Sequence, residues 1–469
     1  MKRGIVWFRN DLRVTDNEAL HRAATECDEV IPVYVFDLTY LNSERYGSKK
    51  FGSRRVKFIL ESLEDLKKSL ENLGSSLLVE MGKPDEVLSR IAEDHEVSIL
   101  FAQKEVTKEE VMVEEEVKRA LENTVDVRFF QGHSLYHPDD IPFEIEDVPD
   151  IFSNFRKKCE KQSEVRAILS IPEKLKQPED LPAGDIPGLE ELGFEPKPIS
   201  DRAAIAYRGG EREARKRLEN YFWETENLSS YKYTRNGLLG IDYSSKFSGW
   251  LAHGCISPRM IYSEVKRYEK SIKKNSSTYW MVFELIWRDY FRYVSMKFAN
   301  KLFYPGGIKG EEVNWKSDEK KLEAWKKGET GVPFVDANMR ELNETGFMSN
   351  RGRQIVASYL VKDLKQDWRL GAAYFEQELI DYDVTSNWGN WAYVAGVGND
   401  PRENRYFNIL SQASRYDGKG EYVRQWLPEL SEISNDFIHK PWQLSDSEKS
   451  KFDLHGSPFG KPIYVNEKW

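Results

Sequence analysis

A chain of 469 residues, 40% hydrophobic and 13% aromatic, has enough length and apolar content for two or three domains with large cores. No apolar run reaches membrane-span length and the first residues lead straight into an apolar strand, so a soluble cytoplasmic protein without membrane contact is expected. The net charge of −9 counts against indiscriminate adhesion to nucleic acid, unless basic side chains gather on one face. The three scattered cysteines, Cys27, Cys159 and Cys255, argue against a disulfide framework and fit a reducing compartment. His133 and His137 have metal-like spacing, but Pro138 follows and no third ligand is near, so no metal is expected.

Residues 1–135 alternate short apolar runs with amphipathic patterns. The runs "GIVWF" from Gly4, "VIPVYVF" from Val30, "SLLVE" from Ser76, "VSILFA" from Val97 and "VDVRFF" from Val125 read as strands. Between them "RRVKFILESLEDLKKSLENLG" repeats apolar residues at three and four, with Gly74 as a C-terminal cap. Strands separated by helices predict an α/β, Rossmann-like parallel sheet with right-handed crossovers. The first strand is followed by "RNDLRVTDN" and not by a Gly-x-Gly-x-x-Gly turn, which argues against an ordinary dinucleotide site here.

A connector over residues 136–202 follows. Its second part holds Pro172, Pro178, Pro182, Pro187, Pro196 and Pro198 among acids, which predicts an extended strap with packed portions. Residues 203–430 are helical in pattern, and 431–469 form a tail expected to pack on them. "EREARKRLENYFW" is amphipathic, Ser257-Pro258 is a helix start, and "STYWMVFELIWRDYFRYVSMKF" is apolar on most faces. Twelve of the 13 tryptophans lie after residue 220; most serve a large helical core, but the skew places any flat aromatic ligand in this half.

Polar residues interrupt that apolar pattern. Glu284 and Arg288 share one face of a helix fit for burial, which favours a polar ligand over a solvated surface pair. Ser244, Ser245 and Ser248 stand ahead of a helix-like segment, where hydroxyls and free amides suit a phosphate, although serines there are commonly just caps. Asn350, Arg351 and Arg353 head another apolar helix. The stretch from Leu379 to Asn408 packs acids, amides and tryptophans together with no nucleophile and no proton shuttle.

Those segments resemble the photolyase and cryptochrome family, most closely its DASH branch, over essentially the whole chain. The motifs that carry the resemblance are "VWFRNDLRVTDNEAL", "LYHPDDIPF", "VPDIFSNFRKKCE", "TRNGLLGIDYSSKFSGWLAHGCISPR", "FELIWRDYFRY", "NRGRQIVASYLVKDL" and the Leu379–Asn408 stretch. The resemblance implies an all-helical C-terminal domain that binds folded FAD. Tyr231, Ser244, Ser245, Lys246, Phe247 and Ser248 would cradle its diphosphate, and Arg288 and Tyr382 would contact the same cofactor. Asp381 and Asp383 would hold the adenine, sugar or isoalloxazine edge, with Arg353 the partner of Asp381 beside the flavin. Asn387 would face flavin N5, where an amide can hydrogen-bond a reduced, anionic flavin without adding a second negative charge. Trp391, Trp368 and Trp315 match the family's electron-transfer chain from flavin to surface.

Glu284, Trp287, Asn350, Gln354 and Tyr393 match the lesion pocket, and Arg351 and Arg405 match phosphate contacts at its rim. Tyr393 and Gln354 stand where ordinary dimer photolyases carry tryptophan and methionine, as in the DASH branch. Glu105 falls where family members contact an antenna, usually methenyltetrahydrofolate. The implied activity is light-driven splitting of cyclobutane pyrimidine dimers, mainly in single-stranded DNA, by a monomer that holds RNA or duplex DNA weakly. The alternative is a blue-light receptor that binds nucleic acid or regulators without repair; no long extension follows Trp426 to act as a signalling tail.

Overall fold

The computed structural model describes residues 1–182, 184–402 and 405–469. Each of the five expected apolar runs becomes a strand: Arg3–Phe8 (β1), Glu29–Phe36 (β2), Leu78–Met81 (β3), Ile99–Gln103 (β4) and Asp126–Phe130 (β5). All pair in parallel, in the order β3-β2-β1-β4-β5. The long helix Ser53–Leu73 (α1) ends as expected at Gly74, whose φ of 93° is left-handed and whose amide bonds back to Glu71 O. A side chain there would also strike the carbonyl of Leu175.

The proline-rich strap is extended and packed. Leu175 N donates to Leu73 O at 2.6 Å, Lys176 O accepts from Val30 N at 2.7 Å, and Leu175, Leu181 and Leu192 are buried. Gly184 lies so close to β3 that an added Cβ would sit 2.4 Å from Leu77 O. The strap therefore covers the edge strand, which protects it from pairing with other chains.

After residue 210 the chain is helical. "EREARKRLENYFW" forms an α-helix over Glu211–Glu219, then widens into a π turn over Asn220–Glu224. The elements that build the site are Tyr231–Thr234 (α2), Ser248–Ala252 (α3), Ser276–Phe298 (α4), Asn350–Ser358 (α5), Trp368–Glu378 (α6) and Val384–Ala395 (α7). Ser257 caps the helix Pro258–Ser271 by accepting from Met260 N, as the Ser-Pro pair predicts. The last residues pack on this region through Ile433, Ile438, Leu454 and Phe459, all buried. Among the described residues no helix is long and apolar enough to cross a membrane.

One apolar core joins the two halves, running from Val6, Phe8 and Phe58 to Trp250, Ile256, Tyr290 and Tyr293. Polar clamps reinforce it. In a sheet of order 3-2-1-4-5, ligands ordinarily enter the crevice at the carboxyl ends of β1 and β4, where the strand order reverses. Here α4 fills that crevice. Asp289 accepts the Leu135 and Tyr136 amides at 2.9 Å each, and Arg292 Nη2 lies 3.0 Å from Glu105 just after β4. Burial pushes the Asp289 carboxyl up to about 7 in spite of those bonds.

Candidate active site

Helix α4 has two polar faces. Asp289 and Arg292 meet the sheet, while Glu284, Trp287, Arg288 and Phe291 look into a cavity of about 600 Å³ within the helical region. That volume suits a cofactor-sized ligand. Glu284 and Arg288 do not pair with each other. Glu284 Oε1 lies 2.7 Å from Arg235 Nη1, and Arg288 Nη2 lies 3.6 Å from Asp383 Oδ2. Burial raises the Glu284 carboxyl, with Arg235 opposing it.

The floor of the cavity is built by the loop before α3. Arg217 Nη2 and Nε draw in the carbonyls of Ser244 and Ser245, each at 3.1 Å, and Tyr207 Oη donates to Lys246 O at 2.8 Å. A trans peptide points its N–H opposite its C=O, so the amides of Ser245, Lys246 and Phe247 are turned away from these partners. Lys246 itself takes a left-handed φ of 62°, a conformation that costs energy outside glycine. Its Nζ is buried, has no hydrogen-bond partner among the described residues, and sits over the rings of Tyr243 and Phe347. Burial holds this ammonium well below the usual lysine range. Helix α3 has only one turn, so the expected anion site is a loop cradle more than a helix N-terminus.

Opposite the cradle, Arg353 Nη2 reaches both oxygens of Asp381 at 2.9 and 2.7 Å. Asp383 caps α7, accepting from Ser386 N at 2.7 Å and Thr385 Oγ1 at 2.8 Å. Desolvation would raise its carboxyl, but the Arg288 charge and the Ser386 bond outweigh it and hold it below its ordinary value. Asn387 Nδ2 donates to Ala372 O at 3.0 Å, which leaves Oδ1 as the acceptor available to the cavity. His253 Nε2 pins the chain just before Asp381 through Ile380 O, 2.9 Å away.

Every residue that the resemblance assigns to the flavin lines this one cavity: Tyr231, Ser244, Ser245, Lys246, Phe247, Ser248, Arg288, Arg353, Asp381, Tyr382, Asp383 and Asn387. The amides turned away from Arg217 and Tyr207 and the buried Lys246 amine form a donor set that suits a diphosphate. The residues present therefore fit FAD.

The mouth is aromatic. Trp287 stacks on Phe152 with centroids 3.6 Å apart and an 11° tilt, and meets Tyr393 edge-on at 6.2 Å and 90°. Arg405 donates to Tyr393 Oη at 3.0 Å and pairs with Asp400. Asn350 and Gln354 line the same opening, and Arg351 Nη1 holds Gln354 Oε1 at 2.8 Å from outside the cavity wall. Two contributors were not evident in the sequence. Arg235 reaches the mouth and buried Phe152 backs Trp287, both from distant segments, and no spacing links them to Glu284 or Trp287.

Trp391 forms part of the cavity wall and rests on Gly371, where a Cβ would come within 2.2 Å of its ring. Trp368 lies one turn earlier on α6, buried, and donates to Pro305 O at 3.2 Å; half-buried Trp315 donates to the same carbonyl at 2.9 Å. Glu105 lies elsewhere, in the crevice filled by α4. His133 Nε2 and Asn10 Nδ2 reach its Oε1 at 2.8 and 3.1 Å, and Arg292 takes Oε2. Burial lowers His133 to about 4, so a neutral imidazole donates to this carboxylate. Both oxygens are thus occupied by the chain's own side chains.

Two sequence families match the chain in tandem: residues 4–179 fit the family described as DNA photolyase, and residues 280–467 fit the FAD binding domain of DNA photolyase. Cryptochrome DASH of Danio rerio is 49% identical over 472 residues, covering 99% of this chain and 91% of that protein. Cryptochrome DASH of Synechocystis is 46% identical, covering 98% and 94%. The crystal structure of a Synechocystis cryptochrome superposes with a TM-score of 0.94 at 46% identity, over 97% of this chain and 94% of that one. A class III photolyase from Agrobacterium tumefaciens gives 0.86 at 30% identity, over 100% and 95%.

Proposed function

The chain belongs to the DASH cryptochromes of the photolyase and cryptochrome family, and from that membership we propose that it is an FAD-dependent lyase that splits cyclobutane pyrimidine dimers under blue light, mainly in single-stranded or unpaired DNA. The observation that carries the reading is one cavity with two chemistries: a floor built from the Ser244–Ser248 loop and the buried Lys246 amine, and a mouth of Trp287, Glu284 and Tyr393. FAD, when bound, supplies light absorption and the electron that opens the cyclobutane ring.

On this reading the chain's own side chains bind, orient and shield. The Ser244–Ser248 cradle and Lys246 neutralise the diphosphate, and Arg353 and Arg288 fix the carboxylates that hold the rest of the cofactor. Asn387 Oδ1 accepts a hydrogen bond at the flavin edge. Trp287 stacks the flipped dimer, and Glu284, held by Arg235 at 2.7 Å, sets a carboxyl group beside the damaged bases. Trp391, Trp368 and Trp315 lead outward from the cavity wall as oxidisable indoles. The resemblance also implies a methenyltetrahydrofolate antenna with Glu105 as one contact, and repair as proposed does not depend on it.

The strand preference follows from the mouth. Flipping a lesion out of a duplex costs a few kcal/mol, and least where the strand is already open. Stacking returns roughly 1–3 kcal/mol per base on each aromatic face. Trp287 offers such a face, whereas Tyr393 stands perpendicular to it with its hydroxyl tied to Arg405. The test is repair of the same dimer in single-stranded, bubble and duplex oligonucleotides under matched light. Single strand and bubble should far exceed duplex. Equal repair of all three would overturn the preference, and repair of none with the flavin fully reduced would replace the lyase by a receptor.

A further inference from the structure

Tyr233 is 76% exposed, an unusual setting for a large aromatic ring, and it sits on α2 between two residues of the cavity wall, Tyr231 and Arg235. Its surroundings are basic although the whole chain is acidic. Lys232 Nζ lies 5.8 Å from the Tyr233 ring centre and 4.9 Å from that of Trp280, and Arg235 lies over Trp280 at 5.6 Å. The turn before α4 adds the exposed Lys273 and Lys274. That turn is tied to α2 and the residues before it: Asn275 Nδ2 donates to Ser229 O at 2.8 Å, and Tyr233 Oη lies 3.5 Å from Ser276 Oγ. From Glu284 at the mouth, a row of Arg235, Trp280, Lys232 and Tyr233 leads out onto the surface.

We propose that Tyr233 is a stacking platform for an unpaired base next to the lesion, with Lys232, Lys273 and Lys274 receiving the strand's phosphates. The chemistry is that of single-strand binders, where an aromatic face takes any base and flanking cations track the backbone. A base paired in a duplex cannot lie on this ring without leaving its stack. The platform therefore rests on the single-strand reading above and deepens it, because it rewards strands that are already open.

The test is dark binding of the FAD-loaded, full-length protein to single-stranded oligonucleotides carrying one thymine dimer, read by fluorescence anisotropy. One oligonucleotide has normal bases beside the dimer and the other has abasic residues there. Tyr233→Ala should weaken binding to the first by roughly 5- to 150-fold, the range that one base stack supplies. Tyr233→Phe should bind like wild type, and the loss should vanish on the abasic strand. Repair per bound complex at saturation should not change, since the ring lies outside the cavity. If Tyr233→Ala binds both strands as wild type does, or loses equally on both, the platform is overturned while the lyase reading stands. Wild-type protein that binds neither strand overturns both.

Discussion

The floor and the mouth of the cavity differ in how far the chain satisfies its own polar groups. At the mouth most of the strong groups already have partners: Glu284 has Arg235, Gln354 has Arg351, and Tyr393 and Asp400 share Arg405. At the floor the backbone carbonyls are satisfied by Arg217 and Tyr207, but Lys246 Nζ has no hydrogen-bond partner among the described residues and its backbone is left-handed. A buried polar group without a hydrogen-bond partner is costly, so a floor of this kind is complete only with a ligand. A mouth that is self-satisfied can instead stand open and exchange partners with a passing strand. The permanent guest and the transient one are thereby distinguished by hydrogen-bond bookkeeping alone.

The largest effect should come from breaking the floor. Arg353→Ala leaves Asp381 buried without the Nη2 that bridges both its oxygens, a loss of about 3–5 kcal/mol for a buried ion pair cut on one side. Denaturant unfolding and flavin content should fall together, and removing the carboxylate as well, in Arg353→Ala/Asp381→Ala, should recover part of the stability. Retention of full flavin content in the single variant would separate Asp381 from the cofactor. Asn387→Asp should come next. On the proposed reading it sets a carboxylate beside reduced flavin, about 4 kcal/mol of repulsion at 4 Å and an effective dielectric near 20. Blue light with a thiol should then stop short of full reduction, seen as persistent visible absorbance; complete bleaching at the wild-type rate would remove Asn387 from the flavin edge.

A third test sharpens the comparison through pH. Burial lowers His253, the residue that pins Ile380 beside Asp381, to about 4, against an ordinary 6.5. The folded state therefore favours the neutral ring. Its contribution is fully present above about pH 6.5 and is lost as pH falls through 4, roughly 3 kcal/mol in all. Measured stability between pH 7 and 4 should fall less in His253→Gln than in wild type, and an unchanged acid slope would show that this ring does not buttress the floor.

These contrasts were only partly legible in the sequence. The five strands and α1 could be read because burial on both sheet faces demands continuous apolar runs, and Gly74 marks where α1 stops. The floor could be named only through family motifs, since the Ser244–Ser248 loop has no period and its geometry depends on Arg217, far back in the chain. Helix α4 reads as apolar nearly all round. Periodicity could not tell that Asp289 and Arg292 would plug the sheet's crevice while Glu284 and Arg288 faced a cavity. Glu105 illustrates the same limit: its partners Arg292 and His133 arrive from other elements, and no spacing in the sequence links the three.

The smallest change in energy bears on the central claim, that the floor holds the cofactor while the mouth selects the strand. Tyr393→Trp with Gln354→Met adds a second broad aromatic face and leaves the floor untouched. About 1.4 kcal/mol of extra grip corresponds to tenfold. The ratio of duplex to single-strand repair, measured at equal flavin content and equal light, should therefore rise by roughly tenfold while photoreduction stays as in wild type. An unchanged ratio in a fully loaded double variant would contradict the account.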